Sequence, residues 1–169
     1  QILPGRWVIQ ATNIPRWLAE GRRDVVFEYR LLRQRPLTLR HEVSFTEPDG
    51  TRRTRIGRDR WNGTGFTWNP SGLRGLTQRG RWEVAAIRQG LVVLRFLETL
   101  STPHGIDVVV EEGVDPGELR AVFAADPSAF GLEVEEFASL TWFTPVPERP
   151  ADPAGPDTQA PESPEAVVR

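Results

Sequence analysis

The segment LPGRWVIQATNIPRWL, residues 3–18, predicts a short β-strand that ends before a proline. Apolar side chains stand at every second position from Trp7 to Ala11, and this is the period at which side chains of a strand face the same side of a sheet. The alternation stops at Asn13-Ile14-Pro15, and a second tryptophan, Trp17, follows the proline. One tryptophan therefore lies early in the strand and another lies just beyond its end.

The same period-two pattern recurs along the chain and predicts an antiparallel β-protein. Turn residues separate the apolar stretches, most clearly at Glu47-Pro48-Asp49-Gly50 and at Gln89-Gly90, where proline and glycine suit a reversal of the chain. About eight or nine short strands at this spacing are typical of a sandwich or a barrel. Besides the opening strand, they cover residues 25–32, 39–45, 51–58, 65–68, 73–77, 82–88, 91–98 and 106–111.

Helix is predicted only after the last strand. Asp115-Pro116-Gly117-Glu118 offers an N-cap, a proline at the first helical position and a carboxylate three residues after the cap. The stripe of Leu119, Val122 and Phe123 that follows indicates the buried face of a short helix. A second helix is predicted over residues 132–140.

The composition indicates one globular domain and excludes several functions. The 169 residues are 38% hydrophobic and 26% charged, which suits one packed core. The net charge of −2 gives no reason to expect nucleic acid, and no apolar run approaches the roughly 18–20 residues that span a membrane. Cysteine and lysine are absent, so thiol and Schiff-base catalysis are excluded. The lack of cysteine favours a cytoplasmic protein, although Gln1 in place of methionine leaves room for a removed signal peptide.

Residues 145–169 are predicted to form a disordered tail, separate from a domain that comprises residues 1–144. The tail holds seven of the chain's 15 prolines and no aromatic residue. Such a segment buries too little apolar surface to offset the entropy lost when it becomes ordered.

Several short motifs together resemble a lipocalin-like family of bacterial and fungal proteins. Gly5-Arg6-Trp7, at the start of the first strand, resembles the Gly-x-Trp signature of lipocalins. Five further segments resemble the same family, at residues 14–17, 55–59, 66–68, 80–84 and 102–107. The resemblance covers the chain from Gly5 to about Leu140. One departure is Asn69-Pro70 after Trp68, where the family tends to have an arginine and two glycines. Pro70 also lacks a backbone donor, so we expect strand pairing to be interrupted there.

The resemblance implies an eight-stranded up-and-down barrel with an internal cavity for an apolar ligand. In that arrangement Gly5 and Trp7 are structural, Trp7 closes one end of the barrel, and an arginine from a late strand packs over it. Small lipocalin-like barrels of actinobacterial biosynthesis also include cofactor-free cyclases, among them Diels–Alderases that form spiro rings. Fold does not fix chemistry, so this resemblance supports a cyclase by analogy alone.

Eight residues are candidates for ligand binding or catalysis. Six aromatic residues are predicted to line the cavity, with ordinary core packing as the alternative for each: Trp17, Phe27, Tyr29, Phe45, Trp68 and Trp82. His41 is the candidate acid–base group because it shares a strand face with apolar residues and imidazole titrates near neutral pH. Arg95 is the candidate cation for an enolate or carboxylate, provided that it and not Glu98 faces the lumen. The alternatives are a satisfied buried histidine and a structural arginine over Trp7.

The remaining features indicate neither a metal site nor a nucleic-acid site. His41 and His104 are the only histidines, and typical metal sites need three or four ligands, so we expect no metal and no cofactor. The arginines of residues 52–60 alternate between two strand faces and are interpreted as a solvated hairpin. We therefore predict a protein that binds an apolar, polyketide- or isoprenoid-like small molecule and guides its cyclisation or isomerisation. A non-catalytic carrier is the alternative, and assembly as a homodimer stays open.

Overall fold

The computed structural model describes residues 3–18, 21–72, 79–99 and 104–143. The predicted strand at residues 73–77 and the predicted tail at residues 145–169 lie outside these ranges. The elements are β1 Gly5–Thr12, α1 Pro15–Leu18, β2 Arg23–Gln34, β3 Leu37–Thr46, β4 Arg52–Trp61, β5 Phe66–Pro70, β6 Gly80–Arg88, β7 Leu91–Leu97, β8 Gly105–Glu111, α2 Leu119–Ala125, a 3₁₀ turn Pro127–Phe130, α3 Val134–Ala138 and β9 Thr141–Trp142. In this part of the chain, no helix is both long and apolar enough to cross a membrane.

The strands form a closed antiparallel barrel, which confirms the fold expected from the sequence. From β1 to β8 each strand pairs with the next one, and β8 returns to pair with β1. The two-residue strand β9 pairs with Ala11 and Thr12, on the stretch of β1 that lies beyond its pairing with β2. Closure removes the exposed strand edges that would otherwise invite pairing with other chains.

A bulge in β1 divides its apolar residues between the inside and the outside of the barrel. The register with β8 shifts between Ile9 and Ala11. As a result, Trp7 and Ile9 belong to the inner core, whereas Ala11 belongs to the outer one. The prediction that these residues share one face is therefore wrong at Ala11, because a bulge moves every later side chain to the opposite face.

The break after β1 places Trp17 inside the barrel. The side chain of Asn13 accepts a hydrogen bond from the Ile106 backbone N–H at 2.7 Å, and the Asn13 backbone N–H donates to the Ile106 carbonyl at 3.2 Å. These bonds hold the chain against β8 after the strand has ended. The single turn of α1 then turns Trp17 inward, where 4% of the residue is exposed.

The segment after β8 covers the outer face of the barrel. Phe123 is fully buried and stacks on Phe130, with 3.9 Å between the ring centroids. The predicted start of the first helix is wrong, because Asp115 accepts a hydrogen bond from the Gly117 N–H in a local turn and α2 begins only at Leu119. Val122 was expected in the buried stripe and is 53% exposed. The second helix is confirmed in a shorter form as α3.

Gly57 allows a tryptophan to lie against β4. A Cβ atom at this position would come within 2.7 Å of the Trp68 ring and 2.8 Å of the Asn69 carbonyl oxygen. Gly57 is also the register partner of His41 on β3, and the Trp68 ring that fills the space at Gly57 lies 6.5 Å from the His41 ring. β5 pairs with β4 as far as Pro70 opposite Gly57, so the interruption predicted at Pro70 is wrong on that side. Its pairing with β6 extends only to Trp68 opposite Gly80.

We expect Gly57→Ala to destabilise the protein by about 1–3 kcal/mol, because the added methyl group overpacks a close contact. The measurement is the midpoint of urea unfolding, followed by circular dichroism. Thr54→Ala is the control, since Thr54 is exposed on the same strand and should change stability by less than about 0.5 kcal/mol. Equal midpoints for Gly57→Ala and the wild type would show that the Trp68 contact is not tight.

Candidate functional site

A cavity with an open mouth lies inside the barrel beside α1. The space free of protein atoms is about 490 Å³ when the open mouth is counted, and about 40 Å³ of it admits the centre of a water-sized molecule. Five aromatic side chains form most of its wall: Trp17, Phe27, Trp68, Trp82 and Phe96. Arg16, His41 and Arg55 contribute its polar part. A concave site with apolar walls and a few polar groups is the usual form of a small-molecule site.

The structure places four of the six predicted aromatic residues in the cavity wall and the other two directly behind it. Tyr29 packs on His41 with 4.4 Å between the ring centroids, and Phe45 packs on Trp17 at 5.8 Å. Sequence reasoning missed Phe96, Arg16 and Arg55. The sequence does not decide which side of β7 faces inward, Arg55 stands in the hairpin interpreted as solvated, and Arg16 is considered only as part of the motif at residues 14–17.

His41 is held inside the barrel by a buried carboxylate. Its Nδ1 lies 2.8 Å from Oδ2 of Asp59, and the two residues are 4% and 0% exposed. The other oxygen of Asp59 accepts a hydrogen bond from Trp82 Nε1 at 2.8 Å. A buried carboxylate needs such partners, because its transfer from water is otherwise costly. Asp59 was missed because it sits in the arginine-rich strand, although it shares a face with Gly57.

Several buried polar atoms at this site have no hydrogen-bond partner within the described ranges. They are the hydroxyl of Tyr29, the indole nitrogen of Trp68 and both ring nitrogens of His41, whose 2.8 Å contact with Asp59 lacks the alignment of a hydrogen bond. Burial, together with the charges of Asp59 and Asp107, raises the pKa of the Tyr29 hydroxyl well above its ordinary value, so it stays protonated. Buried polar groups are nearly always paired, and a cluster without partners indicates a place where a ligand or solvent bonds. The residues that the structure describes include no group of three or more side chains placed to hold a metal ion.

The cavity mouth is bordered by arginines that lie over aromatic rings. The guanidinium carbon of Arg16 lies 5.5 Å from the Trp17 ring, and that of Arg55 lies 5.5 Å from the Phe45 ring. Arg22 lies 4.7 Å from the same Phe45 ring and pairs with Glu47 at 3.2 Å. These distances are typical of cation–π contacts and fix the cations beside the opening.

A second buried carboxylate fixes the junction between β1 and α1. Asp107 is 0% exposed and accepts a hydrogen bond of 2.6 Å from the Thr12 hydroxyl, which in turn accepts one of 3.0 Å from the Ile14 N–H. Burial raises the pKa of Asp107 to about 7, although Thr12, Trp17 and Arg16 favour its charged form. The position of Trp17 therefore depends on a group that titrates near neutral pH.

Arg95 lies on the outer surface, so its prediction as an inward cation is wrong. On β7 the inward positions are Val92, Leu94 and Phe96, and Arg95 alternates with them. Its guanidinium donates to the Gly131 carbonyl at 2.7 Å and to the Glu136 carboxylate at 2.9 Å, which ties the C-terminal segment to the barrel.

The Gly-x-Trp residues begin β1. Trp7 is 4% exposed, belongs to the inner core and donates its indole N–H to the Leu3 carbonyl at 2.9 Å. Gly5 begins β1 with a φ of +146°, which a side chain would rarely adopt. The expected arginine over Trp7 is not Arg95, because that residue is bonded on the opposite face of the wall. His104 is exposed.

Solved structures with the same fold are lipocalins, and the chain has a lipocalin-like fold. Apocrustacyanin A1 of lobster is 10% identical, with a TM-score of 0.58, over 83% of this chain and 76% of that one. The siderocalin Ex-FABP is 15% identical, with a TM-score of 0.55, over 79% and 90% of the two chains. The amine-binding protein of Rhodnius prolixus, solved with tryptamine, is 12% identical, with a TM-score of 0.56, over 80% and 76%. No family model and no curated protein matches the sequence.

Asp107 makes stability depend on pH in a defined direction. Its pKa is raised from 3.8 to about 7 in the folded protein, so the folded state keeps a proton that the unfolded chain releases. Stability from this group is complete at low pH and is lost as the pH rises toward 7. Between about pH 5 and about pH 8 we expect the free energy of unfolding to fall by about 2–3 kcal/mol in the wild type.

Asp107→Asn should remove most of that decline, because asparagine does not titrate. The measurement is urea unfolding at intervals across the same pH range. Both proteins retain His41 and His104, so the contribution of these histidines to the pH dependence of stability cancels in the comparison. Parallel stability curves for the wild type and Asp107→Asn would contradict the raised pKa.

Proposed function

We propose that this barrel binds one small, largely apolar molecule of the polyketide or isoprenoid kind in the cavity beside α1. The observation that carries the proposal is the coincidence of an aromatic wall with buried polar atoms that have no partner among the described residues, notably Trp68 Nε1 and His41 Nε2. The apolar wall would supply most of the binding free energy, and the few polar atoms would orient the ligand. We also propose that the protein acts in the cytoplasm, in the biosynthesis of a small molecule.

The fold neighbours support binding in the barrel without naming the ligand. One is described as a siderocalin with dual ligand specificities, and another is an amine-binding protein solved with tryptamine. Their ligands differ although the fold is shared. The ligand of this chain must therefore be inferred from its own cavity residues.

We expect Val43→Phe to weaken the binding of the neutral dye N-phenyl-1-naphthylamine at least about tenfold, because the added ring occupies the cavity. Val43 lines the cavity, and dye fluorescence measured by titration reports its binding. The control is Ile56→Phe, which places the same ring on the outer side of β4, where Ile56 is 39% exposed. Circular dichroism checks that both variants fold. Equal dye affinity in the two folded variants would place the dye outside the barrel.

The second candidate function is chemistry on the bound molecule, a cofactor-free cyclisation or isomerisation. The contact of His41 with Asp59 favours it. A carboxylate beside Nδ1 of an imidazole stabilises the imidazolium that forms when Nε2 takes up a proton as a base. Nε2 of His41 is buried and has no partner among the described residues.

In this mechanism the cavity would act through shape and through two polar functions. The ring walls of Trp17, Trp68 and Trp82 would hold a flexible ligand in a reactive conformation, which reduces the entropy lost on reaching the transition state. His41 would remove or return a proton. The N–H of Trp68 or the O–H of Tyr29 would stabilise the negative charge that develops on a ligand oxygen.

A simple probe tests the base directly. 5-Nitrobenzisoxazole opens when a base removes its ring C–H proton: the electron pair forms the nitrile, the N–O bond breaks, and a coloured phenolate is released. We expect His41→Gln to lower kcat/KM for this reaction by about 10–100-fold, which is at or below the usual contribution of general acid–base catalysis. Trp68→Ala should cost at least as much, because it loosens the reactive geometry.

The control for this probe is His104→Gln, which removes the exposed histidine and should leave the rate unchanged. A rate that is the same in the wild type and in His41→Gln would rule out His41 as a base. If the dye still bound under those conditions, the carrier alternative would be favoured.

A further inference from the structure

The geometry points to a second binding surface: we propose that the end of the barrel opposite α1 docks on a membrane surface that carries anionic headgroups. This far end is where β1 begins and where the β2–β3, β4–β5 and β6–β7 turns lie. An aliphatic pocket, two exposed apolar side chains and a cluster of arginines meet there. The contact is peripheral, with side chains among the headgroups, and it does not rest on the proposed function.

The first feature is an aliphatic pocket that opens at the far end. The space free of protein atoms is about 910 Å³ when the open part is counted, and about 450 Å³ of it admits the centre of a water-sized molecule. Pro4 and Gln34 line the pocket together with five aliphatic side chains, which are Leu3, Leu31, Leu37, Leu39 and Ile87. This lining suits a flexible alkyl chain.

The pocket is distinct from the cavity beside α1. On the inner face of β2, Tyr29 stands between Phe27 of the cavity and Leu31 of the pocket. On β3, His41 stands in the corresponding place, and its ring packs on the Tyr29 ring at 4.4 Å. These two buried rings separate the two ends of the barrel interior.

The second feature is the apolar surface exposed at the same end. Leu32 follows Leu31 of the pocket and is 52% exposed. Trp61 is the last residue of β4 and is 38% exposed, with its ring 5.1 Å from the Phe66 ring. Tryptophan is enriched where proteins meet lipid headgroups, and leucine gains free energy when its side chain leaves water.

The third feature is the arginine-rich outer face of β2, β3 and β4. The strand register places Arg30, Arg40 and Arg58 side by side, and it places Arg33 and Arg60 on either side of Thr38. The sequence alone does not reveal this cluster, because its members come from three strands. Like charges that lie opposite each other on neighbouring strands destabilise a sheet, and a bound anionic surface would offset that cost.

Two carboxylates neutralise only part of this charge. Glu28 pairs with both Arg30 and Arg6, and Glu42 pairs with Arg40 at 2.9 Å. The arginines nearest the far end, Arg33 and Arg60, are exposed.

Acidic side chains at the far end lie on another side of the barrel. Glu111, Glu112 and Asp115 belong to the end of β8 and the segment after it, and β1 separates β8 from β2. Glu112 is bonded by Arg6, and Asp115 accepts a hydrogen bond from the Gly117 N–H. The far end is therefore positive on the side of β2, β3 and β4, where Leu32 and Trp61 are exposed.

The combination of charge and apolar surface favours a membrane over a nucleic acid. A nucleic acid would use the arginines and the Trp61 ring, but it would leave Leu32 and the aliphatic pocket without a role. An anionic bilayer engages all of them. Its phosphates accept charge-assisted hydrogen bonds from arginine, and its alkyl chains contact Leu32 and enter the pocket.

The test measures how much of the 169-residue chain sediments with sucrose-loaded vesicles. One set contains phosphatidylglycerol and phosphatidylcholine in equal parts, and the other contains phosphatidylcholine alone. We expect the anionic vesicles to bind at least about tenfold more tightly, because each arginine near an anionic surface adds about fivefold. Added salt should reduce this difference, because it screens the charges.

The double variant Arg33→Gln, Arg60→Gln should bind the anionic vesicles at least about tenfold more weakly, because it removes the two charges nearest the rim. The matched control is Arg23→Gln, Arg53→Gln. It removes the same net charge from exposed positions near the starts of β2 and β4, at the α1 end, and should weaken binding less than about threefold.

Leu32→Ser should weaken binding about fivefold, because serine places less apolar surface among the lipids. Val134→Ser is the control, since Val134 is exposed on α3, away from the far end, and should leave binding unchanged. Circular dichroism checks that each variant folds. If the arginine variant does not fold, the Leu32→Ser comparison and the salt dependence of the wild type carry the test.

Three outcomes overturn the inference. The first is equal binding to the two kinds of vesicle, or binding to neither. The second is an equal loss in the two double arginine variants. The third is binding of a fluorescent oligothymidylate that depends on Arg33 and Arg60 while the vesicles stay unbound. Dye binding in the cavity beside α1 is measured separately, so the proposed function can survive each of these results, and its own failure would leave this inference standing.

Discussion

The buried carboxylate of Asp59 is the interaction on which the interior of the barrel depends. It lies on β4, contacts His41 of β3 through one oxygen, and accepts the indole N–H of Trp82 of β6 through the other. A fully buried charge is costly unless it is paired, so these partners must keep their places. Asp59 thereby fixes the two side chains, a histidine and a tryptophan, that form the inner wall of the cavity.

The two faces of the barrel wall have different roles: the outer face contributes to stability, and the inner face gives a ligand access to the cavity. Outside, the C-terminal segment packs Phe123 on the apolar residues of β7 and β8 and is tied down by Arg95. Inside, Gly57 leaves room for Trp68, and the break after β1 brings Trp17 to the mouth. The C-terminal segment covers the outer cluster. The inner cluster retains a cavity whose hydrogen-bond donors suit a ligand that carries an oxygen atom.

The fold and the aromatic wall were predictable from the sequence, and the polar groups were less so. Period-two alternation and the Gly-x-Trp motif suffice for a closed barrel, because the inner face of a strand has to be apolar. The face of Arg95 was not predictable, because Leu94 and Phe96 on one side and Val93 on the other are all apolar and both sides of β7 are covered. The importance of Asp59 was not predictable, because it lies in a strand rich in arginine. The turn at Asp115 was predicted as a helix start, because turns and helix caps favour the same residues.

The central claim is that a ligand enters the barrel beside α1, and the indole N–H signals of the tryptophans test it most directly. In a two-dimensional nitrogen–proton NMR titration with N-phenyl-1-naphthylamine, the account predicts that the indole N–H signals of Trp17 and Trp68 shift most, because both rings line the cavity. Trp7, bonded to Leu3 in the inner core, and Trp142, on the outside, should stay in place. Shifts confined to Trp7 or Trp142, or no shift at any tryptophan, would contradict it.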